Sequence, residues 1–348
     1  MCESLLKPMR IVLADPPAFT PPYDHELAAA LAHAGADVTL VTSPFRFGET
    51  PAANGYRRRE VFYPLSSRVF GRSPLRLPLK VAEHPFGIAA MRALRADVLH
   101  VQWLVPELDV RLFHPHVPSV FTAHDLLPRR TAAKLDIWRR LLARFDRVVV
   151  HSEHGREALA PLGVEAHVIP HPVFRSDPPR TDDGQTVLAL GVIRPYKGLA
   201  DAVEATRRAG ARLLVAGDPA EALDAYRGDH IEWRLGYLPD AELDRALGDA
   251  TVAVFPYKPE LDQSGALLRA LGAGVPVVAY DVGGIAEPVR RFDAGRVVPA
   301  GDVEALAAAL AAVLADPEPA HAGALRARDA LTWDVAAHAH LELYEEIA

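Results

Sequence analysis

Cysteine is almost absent from this 348-residue sequence, which contains only Cys2. No disulfide can form within the chain, and this fits a reducing compartment such as the cytosol. Long apolar runs are also missing: no stretch approaches the roughly 20 apolar residues of a membrane-spanning helix, and the N-terminus lacks the apolar region of a signal peptide. We therefore expect a cytoplasmic protein that makes at most peripheral contact with the inner face of a membrane.

An excess of positive charge is missing as well. The 38 Lys and Arg residues are outnumbered by 45 Asp and Glu residues, which gives a net charge of -7 and excludes a general attraction to nucleic acid. No carboxylates with the DxD spacing of a divalent-cation site follow a predicted strand, and no group of His, Cys and acidic residues has metal-ligand spacing. We predict no metal and no cofactor, and the oligomeric state stays open.

What the sequence does contain is the alternation of apolar strands and amphipathic helices that is typical of α/β proteins, and it occurs twice. Residues 1–170 form one predicted domain, the proline-rich residues 171–186 a linker, and residues 187–332 a second domain. A last helix, 333–348, is expected to pack back on the first domain. The predicted fold class is α/β, with two Rossmann-like doubly wound domains that face one another across a cleft.

The sequence also predicts the local structure of three regions of the first domain. Asp24 is a predicted N-cap for a helix that ends near His33. Residues 47–80 are predicted to be mostly irregular, either a solvated insertion or a surface for an acceptor or a membrane, and a helix follows at Ile88. The arginine-rich segment 129–147 has apolar residues at helical spacing, which fits either a helix that covers the sheet or a helix that lies on an anionic membrane.

The most informative stretch runs from Val252 to Glu287. In it Ser264-Gly265 and Gly283-Gly284 each follow a predicted parallel strand and each begin a predicted helix. Helix N-termini present backbone N–H groups and the positive end of the helix dipole, so they attract anions. The stretch therefore predicts a phosphorylated ligand.

Two cations and one histidine follow other strands. Arg194 and Lys197 come just after the strand VLALGVI, and Lys197 is one of only five lysines in the chain. A guanidinium beside an ammonium suits a diphosphate leaving group, although a surface pair near a helix start is the simpler alternative. His124 ends the strand VFTAH, where it either faces a ligand or bonds to backbone. Tyr237 and Leu238, which follow another strand, are candidates to flank a nucleotide base.

Several motifs together resemble the retaining GT-B glycosyltransferases of family 4: LALGVIRPYKGLADAVEA, GAGVPVVAYDVGGIAE, VFTAHDLLP, VIPHP and the terminal TW…LELYEE. The resemblance implies an enzyme of the hexosyltransferase type, with a nucleoside-diphosphate sugar as co-substrate and a hydroxyl group of a glycan, a lipid-linked molecule or a natural product as acceptor. It implies that Arg194 and Lys197 contact the donor diphosphate and that His124 lies near the donor sugar. It also implies that the departing phosphate oxygen helps to deprotonate the acceptor.

The chain departs from the family pattern at two places. Leu261 and Arg269 stand where the family often has two glutamates, the second of which grips the ribose. A sub-pattern with Gln-Ser-Gly is present instead, and its four residues are donor-binding candidates: Asp262, Gln263, Ser264 and Gly265. Glu287, after the paired glycines, is a further candidate.

The other departure lies in the first loop, where Ala18-Phe19 replaces the usual pair of glycines and Tyr23 and Asp24 become acceptor or loop candidates. Two alternatives to an active transferase stay open. One is a degenerate homologue that binds a nucleotide sugar and assists a partner enzyme, and the other is a GT-B enzyme with a phosphorylated ligand that is not a nucleotide.

Overall fold

The chain forms two compact units in the computed structural model, residues 1–170 with 333–348 and residues 171–332. The structure describes residues 7–45, 50–69, 76–126, 134–259 and 262–348. None of the helices in these ranges is both long and apolar enough to cross a bilayer.

The first unit is built on a seven-stranded sheet. Its strands are β1 (Arg10–Asp15), β2 (Asp37–Thr42), β3 (Arg57–Glu60), β4 (Val98–Val101), β5 (Ser119–Thr122), β6 (Arg147–Val150) and β7 (Ala166–Val168). Their order is β3-β2-β1-β4-β5-β6-β7, and every neighbouring pair is parallel. Its helices are α1 (Pro21–His33), α2 (Ser66–Val69), α3 (Arg76–Arg92), α4 (Pro106–Leu112), α5 (Leu135–Leu142), α6 (Glu153–Leu159) and the C-terminal α13 (Trp333–Glu345). Helix α13 packs on α1.

The second unit repeats this plan with six strands. They are β8 (Thr186–Leu190), β9 (Arg212–Gly217), β10 (Ile231–Leu235), β11 (Val252–Phe255), β12 (Val277–Tyr280) and β13 (Gly295–Val298). Their order is β10-β9-β8-β11-β12-β13, again all parallel. Its helices are α7 (Leu199–Arg208), α8 (Asp240–Gly248), α9 (Gly265–Gly272), α10 (Ala286–Phe292), α11 (Val303–Ala315) and α12 (Glu318–Ala330).

The prediction of an α/β protein with two doubly wound domains is confirmed by these sheets. Both faces of each sheet carry a separate apolar cluster, which is why the central strands are almost continuously apolar. In both units the chain starts in the middle of the sheet and reverses direction, so that β1 lies next to β4 and β8 next to β11. The carboxyl ends of strands at such a reversal form a crevice where doubly wound proteins bind ligands.

The predicted role of Asp24 as an N-cap is wrong. Helix α1 begins four residues earlier, with Thr20 at the N-cap and Pro21 and Pro22 at its first two positions. Proline is tolerated there because its missing N–H would have no partner in the helix. Asp24 lies in the first turn instead and is 1% exposed.

The region predicted as irregular, 47–80, contains β3, α2 and the start of α3, so that prediction is wrong within the described residues. Residues 46–49 and 70–75 lie outside them. Strand β3 reads RRRE and has no apolar alternation, because it is an edge strand that pairs only with β2. Helix α3 begins well before the predicted start at Ile88 and continues through Pro85.

The arginine-rich segment 129–147 contains the short helix α5, and residues 127–133 lie outside the described part. Trp138, Leu141 and Leu142 are each at most 2% exposed and belong to the core under the sheet. Burial of such a side chain stabilises the fold by roughly 1.5–3 kcal/mol. The apolar side of α5 is therefore used to cover the sheet, and the membrane interpretation of this helix finds no support.

Candidate functional site

Two cations lie where the second sheet reverses direction. After β8 the chain passes through Gly191 and a short 3-10 turn, Pro195–Lys197, into α7. The Lys197 ammonium lies over the ring of Tyr257, 5.2 Å from its centroid, and Arg194 is exposed. In the described part of the chain neither side chain forms an ion pair with a carboxylate. Their charge is available to an external anion.

Two glycines set the position of Lys197. Gly198 has φ +68°, and a Cβ on it would lie 2.0 Å from the carbonyl oxygen of Pro256. Gly191 has φ +99°, and a Cβ there would lie 2.9 Å from Lys197 Nζ and 3.4 Å from the Ala266 methyl. The bare backbone at Gly191 thus leaves room for the ammonium beside the N-terminus of α9.

The N-terminus of α9 is capped, but two of its N–H groups have no acceptor among the described residues. Ser264 is the N-cap, and its Oγ accepts the Leu267 N–H at 3.3 Å and bonds to the Tyr257 hydroxyl at 3.1 Å. The N–H groups of Gly265 and Ala266 belong to the first turn, where a helix has no acceptor of its own for them. Lys197 and these N–H groups form a positively charged corner, which we call the α9 corner.

The second helix start in this stretch is occupied from within the chain. Asp262 is 7% exposed, and its Oδ1 accepts the Gly284 N–H at 2.9 Å. The amide of Gln263 donates to the other oxygen of Asp262 at 3.3 Å. Asp262 therefore holds the turn before α10 in place. Glu287 is half-buried in the first turn of α10.

The remaining candidates of the second unit are dispersed. Arg269 lies 4.9 Å over the ring of Phe174 and 3.6 Å from a carboxylate oxygen of Asp240, and Leu261 lies outside the described residues. Tyr237 is 64% exposed, while Leu238 packs against the core. An exposed tyrosine after β10 is compatible with stacking on a base, and that role stays a prediction.

In the first unit, His124 lies at the carboxyl edge of the sheet with both ring nitrogens engaged. Its Nε2 lies 2.8 Å from Gln102 Oε1, and its Nδ1 lies 3.4 Å from His151 Nε2. The ring of Trp103 stacks on it at 5.4 Å, and Tyr23 meets it edge-on at 4.6 Å. We call Gln102, His124 and His151 the edge triad.

The sequence placed His151 at a strand end but predicted no role at the site for Gln102, Trp103 or His151. All three stand directly after β4 or β6, which are strands of the same parallel sheet as the β5 strand that carries His124. The carboxyl ends of parallel strands meet at one edge of a sheet. The signal that could have identified these residues is therefore their position directly after the apolar strand residues in LHVQW and RVVVHS.

A pair of buried carboxyl groups occupies the start of α1. Asp15 and Asp24 are 0% and 1% exposed. The Thr20 N–H donates to Asp15 at 3.1 Å, and the Thr20 hydroxyl donates to Asp24 at 3.5 Å. Burial raises the pKa of both carboxyl groups, and the neighbouring charge of Asp15 raises that of Asp24 further. The start of α1 is thus already supplied with acidic groups.

This pair predicts a pH-dependent stability that Asp24→Asn reduces. A carboxyl whose pKa is raised by folding favours the folded state at low pH, and the advantage is lost as the pH rises through the folded-state pKa. Between pH 5 and pH 8 we expect the wild type to lose about 1–2 kcal/mol more unfolding free energy than Asp24→Asn, since one pKa unit corresponds to about 1.4 kcal/mol. Urea unfolding at several pH values measures this. The exposed Asp224→Asn is the control, and equal slopes for Asp24→Asn and wild type would refute the prediction.

Two family profiles match the chain. The one described as Glycosyltransferase Family 4 matches residues 23–175, and the one described as Glycosyl transferases group 1 matches residues 184–316. The first match lies almost wholly in the first unit and the second lies in the second unit.

Individual proteins are similar along most of the chain. The phosphatidyl-myo-inositol mannosyltransferase of Mycolicibacterium smegmatis is 28% identical over 302 residues, which cover 77% of this chain and 78% of that protein. A glycogen synthase of Mycobacterium tuberculosis is 29% identical over 298 residues, covering 73% of this chain and 69% of that protein. The solved structure of sucrose-phosphate synthase from Thermosynechococcus elongatus aligns with a TM-score of 0.76 at 21% identity, and the alignment covers 97% of this chain and 98% of the other.

Proposed function

Because this chain belongs to the group 1, family 4 glycosyltransferases and has their GT-B fold, we propose that it moves a hexosyl group from a nucleoside-diphosphate sugar to a hydroxyl acceptor. The transfer retains the configuration of the anomeric carbon and needs no metal ion. That the chain is an enzyme of the glycosyltransferase class, as its motifs predicted, is confirmed by both family matches.

The α9 corner is the observation that carries the proposal. Lys197 and Arg194 have no carboxylate partner among the described residues, and Lys197 lies beside the first turn of α9 at the reversal of the sheet. A donor diphosphate bound there would gain the ammonium, the guanidinium and the helix N–H groups as partners. Negative charge on the diphosphate grows as the glycosidic bond breaks, so these groups stabilise the transition state more than the ground state.

The corresponding place in the first unit is poorly suited to the same anion. The start of α1 holds the buried Asp15 and Asp24, and Asp15 already accepts the Thr20 N–H, so these carboxyl groups compete with a phosphate for the N–H groups. This contrast supports assigning the diphosphate to the second unit and leaving the first unit to the acceptor. Tyr23 and Asp24 are buried, so of their two predicted roles the support of the loop fits better than contact with the acceptor.

The proposed reaction uses no protein nucleophile. Both nitrogens of His124 have hydrogen-bond partners within the unit, so His124 is a poor general base, and its place near the donor sugar stays a prediction from the family resemblance. The acceptor proton would pass to the departing phosphate oxygen. Positive charge from Arg194 and Lys197 replaces the divalent cation that other transferases use for the leaving group.

The names of the relatives guide the choice of substrates. One is a mannosyltransferase that acts on phosphatidyl-myo-inositol and another is a glycogen synthase, so hexose donors and both lipid and glycan acceptors belong in the first screen. A lipid acceptor would bring the protein to a membrane surface. Helix α3 offers an exposed pair for such contact, Leu77 and Val81, one turn apart and 56% and 52% exposed.

A degenerate nucleotide-sugar-binding homologue is the second candidate, and the absence of glutamate at Arg269 is the observation that favours it. The α9 corner argues against a degenerate homologue, because a protein that only binds a nucleotide sugar has little need of groups that stabilise leaving-group charge. We therefore retain the active transferase as the conclusion.

A donor screen tests the proposal. UDP-, GDP-, ADP- and dTDP-hexoses are incubated with lipid, glycan and small-molecule acceptors, with and without EDTA, and product is followed by mass spectrometry and proton NMR. We expect transfer from at least one donor, an unchanged rate in EDTA and a product with the anomeric configuration of the donor. Full loss of rate in EDTA would contradict metal independence, and tight nucleotide binding without any turnover would favour the degenerate homologue.

A further inference from the structure

The edge triad belongs to a longer chain of hydrogen bonds. On the other side of Gln102, its amide nitrogen lies 3.1 Å from His100 Nε2, and His100 Nδ1 lies 2.6 Å from the Tyr344 hydroxyl of α13. The Thr122 hydroxyl also approaches His100 Nε2, at 2.7 Å. At the opposite end, His151 Nδ1 lies 2.9 Å from the carbonyl oxygen of Ile169. Each member except Ile169 can in principle donate or accept.

The Ile169 carbonyl fixes the direction of the hydrogen bonds at its end. A carbonyl only accepts, so His151 Nδ1 must carry a proton. If His151 is neutral, its Nε2 is a lone pair, and His124 Nδ1 must then donate to it. If His124 is also neutral, its Nε2 is a lone pair that needs a donor from Gln102.

The amide of Gln102 faces His124 with its oxygen, which cannot donate. In this orientation His124 Nε2 must carry a proton, while the Ile169 carbonyl still requires one on His151 Nδ1. The contact between His124 Nδ1 and His151 Nε2 needs one proton more, so the two imidazoles together carry three protons and one positive charge. Rotation of the amide by 180°, with nearly the same heavy-atom positions, would satisfy the whole chain with both imidazoles neutral.

We propose that Gln102 is a positioning residue that sets the tautomer of His124, and that its amide orientation is coupled to one proton shared by His124 and His151. With the oxygen toward His124 the pair holds the proton and a positive charge. With the nitrogen toward His124 the pair is neutral. The proposal depends on the proposed function only for its effect on rate.

Titratable groups from three elements surround the pair. Tyr23 from α1 contacts both imidazoles, and burial raises the pKa of its chain neighbour Asp24. His100 from β4 and His340 from α13 are fully buried, and burial lowers the pKa of both, that of His340 to about 4. Neither of these two histidines accepts a proton readily near neutral pH. His124, 8% exposed, is the member of the chain of bonds closest to solvent at the sheet edge.

Gln102→Glu and Gln102→Met separate the possibilities. A carboxylate at this position only accepts, so Gln102→Glu should hold His124 in the form protonated at Nε2 and raise the pKa of the pair by at least one unit, because an opposite charge in contact favours the charged form. Gln102→Met keeps the length and removes both hydrogen bonds, so it should lower that pKa. Gln185→Glu, the same change at an exposed glutamine, is the control.

Long-range proton–nitrogen NMR of the full chain measures the tautomer of each of the two histidines and the pH midpoint of their titration. The variants His124→Asn and His151→Asn are used to assign the signals. This readout needs no substrate, so it stands even if no donor is ever turned over. Where turnover is measurable, the pH profile of kcat should move in the same direction as the NMR midpoint while KM changes little. The proposal would be overturned if both Gln102 variants showed the same histidine tautomers and titration midpoints as the wild type while thermal melts showed that they are folded.

Discussion

Replacement of Lys197 by alanine is expected to lower kcat for sugar transfer by about 10²–10³-fold, the usual cost of losing one group that stabilises charge on a leaving oxygen. The ammonium lies over Tyr257 and beside the first turn of α9, where no carboxylate among the described residues neutralises it. Because the diphosphate gains negative charge as the glycosidic bond breaks, kcat should fall more than KM rises, and the affinity for the free diphosphate, which carries that added charge, should fall with kcat. Steady-state kinetics with a saturating acceptor measure the two constants.

Two companion variants make this result specific. Lys197→Arg keeps the charge and should recover part of the rate, although a planar guanidinium does not replace an ammonium well. Lys134→Ala removes an exposed lysine of the first unit that pairs with Glu107, and should leave the rate unchanged with a soluble acceptor. A Lys197→Ala enzyme that retains wild-type kcat would remove Lys197 from the site.

Substitution of Gly198 by alanine should have the largest effect on stability. A Cβ at this position would lie 2.0 Å from the carbonyl oxygen of Pro256, and the backbone φ of +68° disfavours any side chain. The left-handed backbone alone costs about 1–2 kcal/mol, and displacement of a buried carbonyl adds more, so we expect a loss above about 3 kcal/mol. The turn that carries Lys197 would move as well, so donor turnover should fall with stability.

Gly210 provides a matched control at the other end of α7. It has the same φ of +68°, but an added Cβ would meet nothing within 4 Å. Gly210→Ala should therefore cost only the backbone term of about 1–2 kcal/mol. Thermal unfolding followed by circular dichroism compares the variants, and a Gly198→Ala protein no less stable than Gly210→Ala would show that the contact with Pro256 is easily relieved.

The parts of the fold that sequence could predict are those determined by local pattern. Apolar runs such as VAVF mark central strands because both faces of the sheet are covered, and the glycines after strands mark the turns. Strand β3 could not be predicted in this way. Its RRRE sequence has no apolar side, and it forms only because β2 offers an open edge for pairing.

At the candidate site, too, some features follow from local sequence and others from contacts between distant residues. Ser264, Arg194 and Lys197 follow strands, so their positions at the sheet edge could be predicted from chain order alone. The hydrogen bond between Gly284 N–H and Asp262 joins residues 22 positions apart, and so does the one between His124 and Gln102. Both depend on which strands are neighbours in the sheet and on side-chain rotamers. Linear spacing does not encode either.

Isothermal titration of nucleoside diphosphates tests most directly whether the α9 corner holds the donor. UDP, GDP, ADP and the corresponding nucleosides are titrated into the wild type, Lys197→Ala and Arg194→Ala. We expect at least one diphosphate to bind about 100-fold more tightly than its nucleoside, a difference of about 2.7 kcal/mol, and expect Lys197→Ala to remove most of that difference. A diphosphate that binds no better than its nucleoside, or a preference that both variants retain in full, would contradict the assignment.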